Sequence, residues 1–519
     1  MLRKIRVGLA VLFWLGITML LLDVSGTFHT YLSWMAKLQF LPAVLALNFA
    51  VVIAFVLITL VLGRAYCSIV CPLGVFQDII AHIRVRRDKR NKKNKPYNYS
   101  EELKWLRYTV WALFIIALVA GFQVFVALLA PYSSYGRIVQ NLFQPLALWC
   151  SNLFAALSAH AGSYAAYSHE VWLRSIPTFI IATITIIAIV IFAWRGGRTY
   201  CNTICPVGTT LSFFSRFSLF RPVIDADKCR NCRICEHNCK ASCINITDHS
   251  IDYSRCVDCF NCIDNCKFGS MNYKLAWRKH STQAKSGQSS EVSAPETKTA
   301  GNEPDTSRRA FLTASALALG TIAIKAQDKK LDGGFADVLP KKAPQRSVSI
   351  TPPGSKSVKD FYAHCTGCQL CVAECPNNVL RPSASINRLM QPEMSFEKGF
   401  CRPECTRCSE VCPTGAILKI DTAQKTAYHV GIASVIPDLC LAANGTSSCG
   451  NCAQKCPTGA ISMVRASGSR NRTPVIAEEI CIGCGACEFL CPVRPVSAIT
   501  VNGRHDHLIN AADRQQAMM

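Results

Sequence analysis

The sequence predicts an α-helical membrane domain of four spans built as a repeat of two hairpins, an α+β ferredoxin-like two-cluster domain, and a ferredoxin-like four-cluster domain. Three observations predict this. Long apolar runs dominate the N-terminal part of a chain of 519 residues that is 50% hydrophobic. Thirty cysteines recur, mostly in groups of four. One motif, Gly-Arg-x-Tyr-Cys-x3-Cys-Pro-x-Gly, is written twice, as GRAYCSIVCPLG at 63–74 and GRTYCNTICPVG at 197–208.

The expected spans are residues 7–22, 41–62, 108–129 and 176–194, each nearly free of charge and about long enough to cross a bilayer. Basic clusters set their direction. Arg3, Lys4 and Arg6 precede the first span, RVRRDKRNKKNK (84–95) lies between the second and third, and Arg195 and Arg198 follow the fourth. By the positive-inside rule the N-terminus and both thiol motifs are cytoplasmic. Residues 138–162, interrupted by Pro145 and carrying Asn141, Gln144 and Asn152, read as interfacial or re-entrant on the outer side. A formal charge of +23 suggests nucleic acid or membrane, and the apolar runs settle that choice for membrane.

The boundaries expected from composition are a membrane domain at 1–217, a two-cluster ferredoxin at 218–278 and a polar, low-complexity linker at 279–306. SRRAFL opens a twin-arginine-like signal or anchor helix at 307–326, shorter than a comfortable span. A second linker (327–360), a four-cluster domain (361–503) and a tail (504–519) complete the chain. An exported C-terminal region suits the twin-arginine signal, which carries domains already folded around their cofactors; a cytoplasmic one is the alternative.

Cysteine spacing carries the chemistry. In Cys-x2-Cys-x2-Cys-x3-Cys a tight loop offers three thiolates to one [4Fe-4S] cluster, and the fourth reaches its neighbour. Two such runs stand at Cys229, Cys232, Cys235, Cys239 and at Cys256, Cys259, Cys262, Cys266. One cluster is expected on Cys229, Cys232, Cys235 and Cys266, the other on Cys256, Cys259, Cys262 and Cys239. Lys240 and Lys267 replace the usual proline after each run. Zinc also binds four cysteines, but the paired spacing argues for clusters.

The C-terminal region has four groups: Cys365, Cys368, Cys371, Cys375; Cys401, Cys405, Cys408, Cys412; Cys440, Cys449, Cys452, Cys456; and Cys481, Cys484, Cys487, Cys491. Each ends in Cys-Pro. They pair either as neighbours or as one ferredoxin nested inside another, and regular outer spacing with irregular inner spacing favours nesting. The expected total is six [4Fe-4S] clusters on 24 cysteines. Cys243 reads as a buried spare thiol and Cys150 as a small apolar filler. No Cys-x-x-Cys-His occurs, which excludes covalent c-type haem.

The remaining thiols, Cys67, Cys71, Cys201 and Cys205, follow membrane helices, with Arg64 and Arg198 adding charge that favours thiolates. They fit a further shared metal site, a redox disulfide pair, or a structural contact between hairpin ends. No expected span contains histidine, so b-type haem is not foreseen, and a quinone or a partner would link the two sides of the bilayer. His169 and Glu170 are the only candidate proton acceptors for a quinol, against a plainer role as solvated loop residues.

Residues 1–278 resemble the membrane iron–sulfur subunit of periplasmic nitrate reductase systems, a core shared with the nitrous-oxide reductase regulator and a cytochrome oxidase assembly protein. Residues 307–501 resemble the exported four-cluster partner subunit of the same systems; the four-cluster subunits of respiratory reductases, which the C-terminal pattern also resembles, are nested. The chain thus looks like a fusion of the two. The resemblance implies a quinol dehydrogenase in anaerobic respiration: electrons from the quinone pool, delivered to a periplasmic reductase or electron-carrier subunit. It places the protein in the cytoplasmic membrane, with the two-cluster domain inside and the four-cluster domain in the periplasm. The alternative function is redox assembly or maturation of a respiratory metalloenzyme.

Overall fold

The computed structural model describes residues 1–23, 26–90, 97–160, 162, 167–275, 339–465 and 472–507. The expected linker at 279–306 and the twin-arginine-like helix at 307–326 lie outside the described residues.

The N-terminal helical region holds two stretches, each ending in one copy of the thiol motif, the second with one more helix than the first. The first half is α1 (Leu2–Leu22), α2 (Phe28–Lys37), α3 (Phe40–Leu45) and α4 (Phe49–Leu62). Its motif follows as the short α5 (Ala65–Ile69) and α6 (Pro72–Arg90). The second half is α7 (Lys104–Ala120), α8 (Gln123–Leu129), α9 (Pro131–Ile138) and, after a wide turn at Val139–Phe143, α10 (Gln144–His160). Then come α11 (Ile176–Gly196) and its motif, α12 (Thr199–Thr203) and α13 (Pro206–Ser215).

Two expected spans are broken. The run 41–62 divides into α3 and α4, because Leu47 turns at φ +53° and the Asn48 side chain caps α4 by accepting from the Val51 N–H. The run 108–129 divides at Gly121, whose left-handed conformation ends α7. Hydropathy averages across such breaks. Residues 138–162 depart from the expectation in the opposite sense: Pro131–His160 is long and apolar enough to cross a membrane. The wide turn just before α10 accommodates Pro145, which has no N–H to donate. Three described helices meet that criterion: Leu2–Leu22, Pro131–His160 and Ile176–Gly196.

Both halves dip toward the motifs and return. His29 of α2 faces Glu374 and Ala46 after α3 abuts Gly415, whereas Gln39 between them bonds the Tyr66 hydroxyl at 3.1 Å. In the second half Ala127 abuts Gly367 and Gly136 abuts Cys368, whereas the Leu129 carbonyl between them accepts from the Tyr200 hydroxyl at 3.2 Å. Each motif tyrosine thus holds the tip of a dipping helix pair.

The two ferredoxin domains meet opposite ends of α1, whose 21 residues run roughly 31 Å. At its start Arg3 pairs with Asp264 of the two-cluster domain at 3.2 Å; just past its end Asp23 and His29 face Glu374 of the four-cluster domain. The two-cluster domain pairs β1 (Phe220–Ile224) with the later β4 (Met271–Leu275), enclosing the hairpin of β2 (Ile244–Asn245) and β3 (Ser250–Ile251). The four-cluster domain has two short antiparallel pairs: β5 (Leu380–Pro382) with β6 (Pro392–Met394), and β8 (Ile461–Arg465) with β9 (Arg472–Ile476). A third pair joins β7 (Gly431–Val435) to β10 (Ile499–Gly503). The fold continues past the expected boundary at 503: Ser357 bridges to Asp506, and His507 is fully buried.

Candidate iron–sulfur centres and an adjoining cavity

In all four regularly spaced loops the residues on either side of the second cysteine have positive φ: Asn231 and Arg233, Asp258 and Phe260, Gly367 and Gln369, Gly483 and Gly485. Alternating the hand of the backbone in this way turns successive N–H groups toward the loop's centre, a concavity that favours anionic sulfur. The irregular groups at Cys401 and Cys440 lack this signature.

In the two-cluster domain Cys239 joins Cys256, Cys259 and Cys262 around one cavity, while Cys229 and Cys232 lie within electrostatic reach of Cys235. Cys266 packs against the same small core. Cys243 is buried with its sulfur 3.6 Å from that of Cys239, so the spare thiol touches a ligand position. Cys150 is exposed on α10 and fills no core space.

In the four-cluster domain the expectation of nesting is not met. Cys412 lies beside Cys365, Cys368 and Cys371. Cys375 lines a cavity with Cys401, Cys405 and Cys408. Cys456 does so with Cys481, Cys484 and Cys487, and Cys491 with Cys440, Cys449 and Cys452. Neighbouring groups therefore pair, because the connection between them is short enough for each fourth cysteine to cross over. The two halves touch where the Cys401 N–H donates to the Cys484 carbonyl at 2.9 Å. Successive sets adjoin: Cys368 abuts Gly136 of α9, Cys371 lies within electrostatic reach of Cys408, and Cys401 within reach of Cys484.

The membrane thiols also converge. Cys67, Cys71, Cys201 and Cys205 are all buried and within electrostatic reach of one another. The two thiols of a pair do not share one helix: the short helix ends at Ile69 or Thr203, and Cys71 and Cys205 stand just before the next helix starts at Pro72 or Pro206.

A cavity of about 370 Å³ lies between α10, the segment 169–174 and the four-cluster domain. Cys375 and Arg407 form one wall, Pro145, Leu148 and Leu173 an apolar one. His169 and Glu170 stand at its exposed rim, where Glu170 pairs with Lys398 at 2.9 Å. Deeper in, Asp23, His29 and Glu374 bring three ligand atoms within 4.8 Å of one another. Neither Glu374 carboxylate oxygen has a hydrogen-bond donor, and burial, with the Asp23 carboxylate beside it, pushes that carboxyl up to about 8. Arg174 donates to Gln140 at 2.9 Å and to the Val372 carbonyl at 3.1 Å, tying the cavity's two walls. Sequence reasoning passed over Asp23, His29 and Glu374. The one signal was an acidic residue directly before a cluster cysteine.

A family described as a 4Fe-4S binding domain matches residues 44–92 and 177–224, and one described as a 4Fe-4S dicluster domain matches 364–416 and 447–494. Among curated proteins, an uncharacterized protein of Methanocaldococcus jannaschii is 25% identical over 44% of this chain and 71% of its own length. The ferredoxin-type protein NapF of Escherichia coli (strain K12) is 31% identical over 16% of this chain and 48% of its own. The methylamine utilization ferredoxin-type protein MauM of Methylobacillus flagellatus is 31% identical over 22% of this chain and 49% of its own. The chain thus spans about half the length of these two ferredoxin-type relatives.

Proposed function

We propose that this chain, an iron–sulfur electron-transfer protein of polyferredoxin type, is a membrane-embedded quinol dehydrogenase that delivers electrons to a protein acceptor beside its four-cluster domain. The observation that carries the quinol reading is the cavity against Cys375. It is large enough for an aromatic ring, offers Pro145 and Leu148 beside Gln144 on the side of α10, and holds unpartnered acceptor oxygens at its inner end.

The 24 ferredoxin cysteines hold six [4Fe-4S] clusters on this reading, and these supply one-electron carriage. The chain's own residues do the rest. A quinol that becomes a quinone gives up two electrons and two protons. In its ionised form, which a pKa of about 8 places above neutral pH, Glu374 presents oxygens with no hydrogen-bond donor, and His29 Nδ1 lies 3.4 Å from Oε2 as a second stage for the proton. Glu170 and His169 at the rim lead toward solvent. Arg174 and Gln140 orient the ring from the membrane side, and Cys375 marks the exit for electrons. The adjoining cysteine sets then lead to the set at Cys440, Cys449, Cys452 and Cys491, the natural face for a periplasmic reductase or carrier.

The deciding experiment is anaerobic purification of the whole chain followed by addition of a reduced quinol, with cluster reduction followed by electron paramagnetic resonance. Reduction of the four-cluster signals within the mixing time supports the reading. If no quinol reduces any cluster, it fails.

A further inference from the structure

We propose that Cys67, Cys71, Cys201 and Cys205 together hold one additional [4Fe-4S] cluster, shared by the two halves of the membrane domain. This deepens the electron-transfer reading above and rests on it only for its role, not for its existence. The 4Fe-4S binding family matches each half separately, yet each match contains only two cysteines, half of what a cubane needs. The structure supplies the other half by bringing the two copies face to face.

The pairing is reciprocal at atomic level. Arg64 donates through Nη2 to the Cys201 carbonyl at 3.2 Å, and Arg198 through Nη1 to the Cys67 carbonyl at 2.7 Å. Each arginine also reaches the first sulfur of its own motif, at 3.8 Å for Cys67 and 3.9 Å for Cys201. Each motif's last glycine makes room for the partner's arginine. A Cβ on Gly74 would lie 2.7 Å from Arg198 Nη1, and one on Gly208 2.7 Å from Arg64 Nη2. Cys205 caps α13, its sulfur accepting from the Gly208 N–H at 3.4 Å, and the Gly74 N–H serves Cys71 likewise. Helix starts of this kind favour thiolate. The Gln77 amide adds a further donor to Cys201 at 3.4 Å.

Charge and spacing then select the occupant. A cubane with four thiolates carries a net charge of about minus two, and the buried Arg64 and Arg198 face the thiols with positive charge, Arg198 sharing its own with the buried Asp78, which Arg6 and Lys240 also pair. A single zinc ion would draw four sulfurs to within about 4 Å of one another. Among the described residues no three of these sulfurs lie within 4.8 Å of one another, wider than a single zinc ion would hold them.

The location gives the site its use. On one side Arg64 bonds the Ser254 carbonyl at 3.0 Å and the Arg198 N–H bonds the Lys240 carbonyl at 2.9 Å, both next to the Cys239–Cys256 set. On the other, Tyr200 bonds Leu129 on the dipping helix pair whose arms abut Gly367 and Cys368. The four thiols thus lie between the two ferredoxin domains. A cluster there changes charge by one electron with no proton to place, which suits a site closed to water.

The test is native mass spectrometry of the anaerobically purified full chain, with iron and acid-labile sulfide counted. The expected result is seven cubane equivalents, about 28 iron atoms, and loss of one-seventh of both iron and sulfide in Cys67→Ser/Cys201→Ser. Six equivalents in the wild-type chain, one bound zinc, or a disulfide between any two of the four cysteines would overturn the proposal. The wild-type count stands even if the variant fails to fold. Six equivalents with intact quinol reduction sinks the shared site alone; seven without quinol reduction sinks the dehydrogenase reading alone.

Discussion

Cys243 sits 3.6 Å from Cys239, with Cys256 of the same set close by, so its S–H can donate to a ligand position of that set. A donor to a thiolate stabilises the more negative, reduced state. Cys243→Ala is expected to lower the potential of that cluster by about 50 mV, taking a charge-assisted hydrogen bond at roughly 1–1.5 kcal/mol and one electron. A redox titration followed by electron paramagnetic resonance checks it, with iron content unchanged. Glu374 invites a second single-residue test. Glu374→Gln keeps the shape but removes the proton acceptor, so quinol-dependent cluster reduction should slow about 100-fold while dithionite reduction is unaffected. Equal slowing with both reductants would mean that Glu374 shapes the domain instead of taking the proton.

At the scale of elements, the motif helices depend on close approach. In Gly74→Ala the new methyl meets the Cys67 carbonyl and the Arg198 guanidinium, neither of which can retreat because both are buried and bonded. The expected cost is about 1–3 kcal/mol, read as a lower unfolding midpoint of the detergent-solubilised protein, with Gly208→Ala behaving alike. A second element-scale prediction concerns the strap that closes the four-cluster domain. His507 lies wholly buried, accepting at Nε2 from Thr351 at 3.3 Å and donating from Nδ1 to the Ser355 carbonyl at 2.8 Å. Burial holds its pKa below the ordinary value. A base whose folded pKa is depressed contributes stability that is present above the unfolded pKa, about 6.5, and lost as pH falls below it. Protection factors in β10, the observed exchange rates corrected for intrinsic exchange, should therefore fall between about pH 6.5 and 5, and His507→Gln should abolish that fall.

For the whole molecule, the two ferredoxin domains occupy opposite ends of a helix about as long as a bilayer's apolar core is thick. Exposed lysines then report sidedness. A membrane-impermeant amine reagent should label Lys228 in inside-out vesicles and Lys455 in right-side-out ones. Labelling of both from one side would place the domains together and remove the periplasmic acceptor from the proposal. Buried thiols and helix pairs lie between the two cluster domains. Hydropathy could not show those pairs, because it averages over Leu47 and Gly121.

What the sequence determined by itself is the inventory: cluster-type cysteine groups, a twice-written thiol motif and apolar helices. Each of these is a local pattern, set by loop geometry or by hydrophobic length over a few residues. The partner of each fourth cysteine in the C-terminal region, the meeting of Arg64 with Cys201 and of Arg198 with Cys67, and the cluster of Asp23, His29 and Glu374 beside the cavity were decided only in three dimensions. These residues lie far apart along the chain, and nothing in their local spacing encodes which distant surface will press against them when the apolar faces are buried.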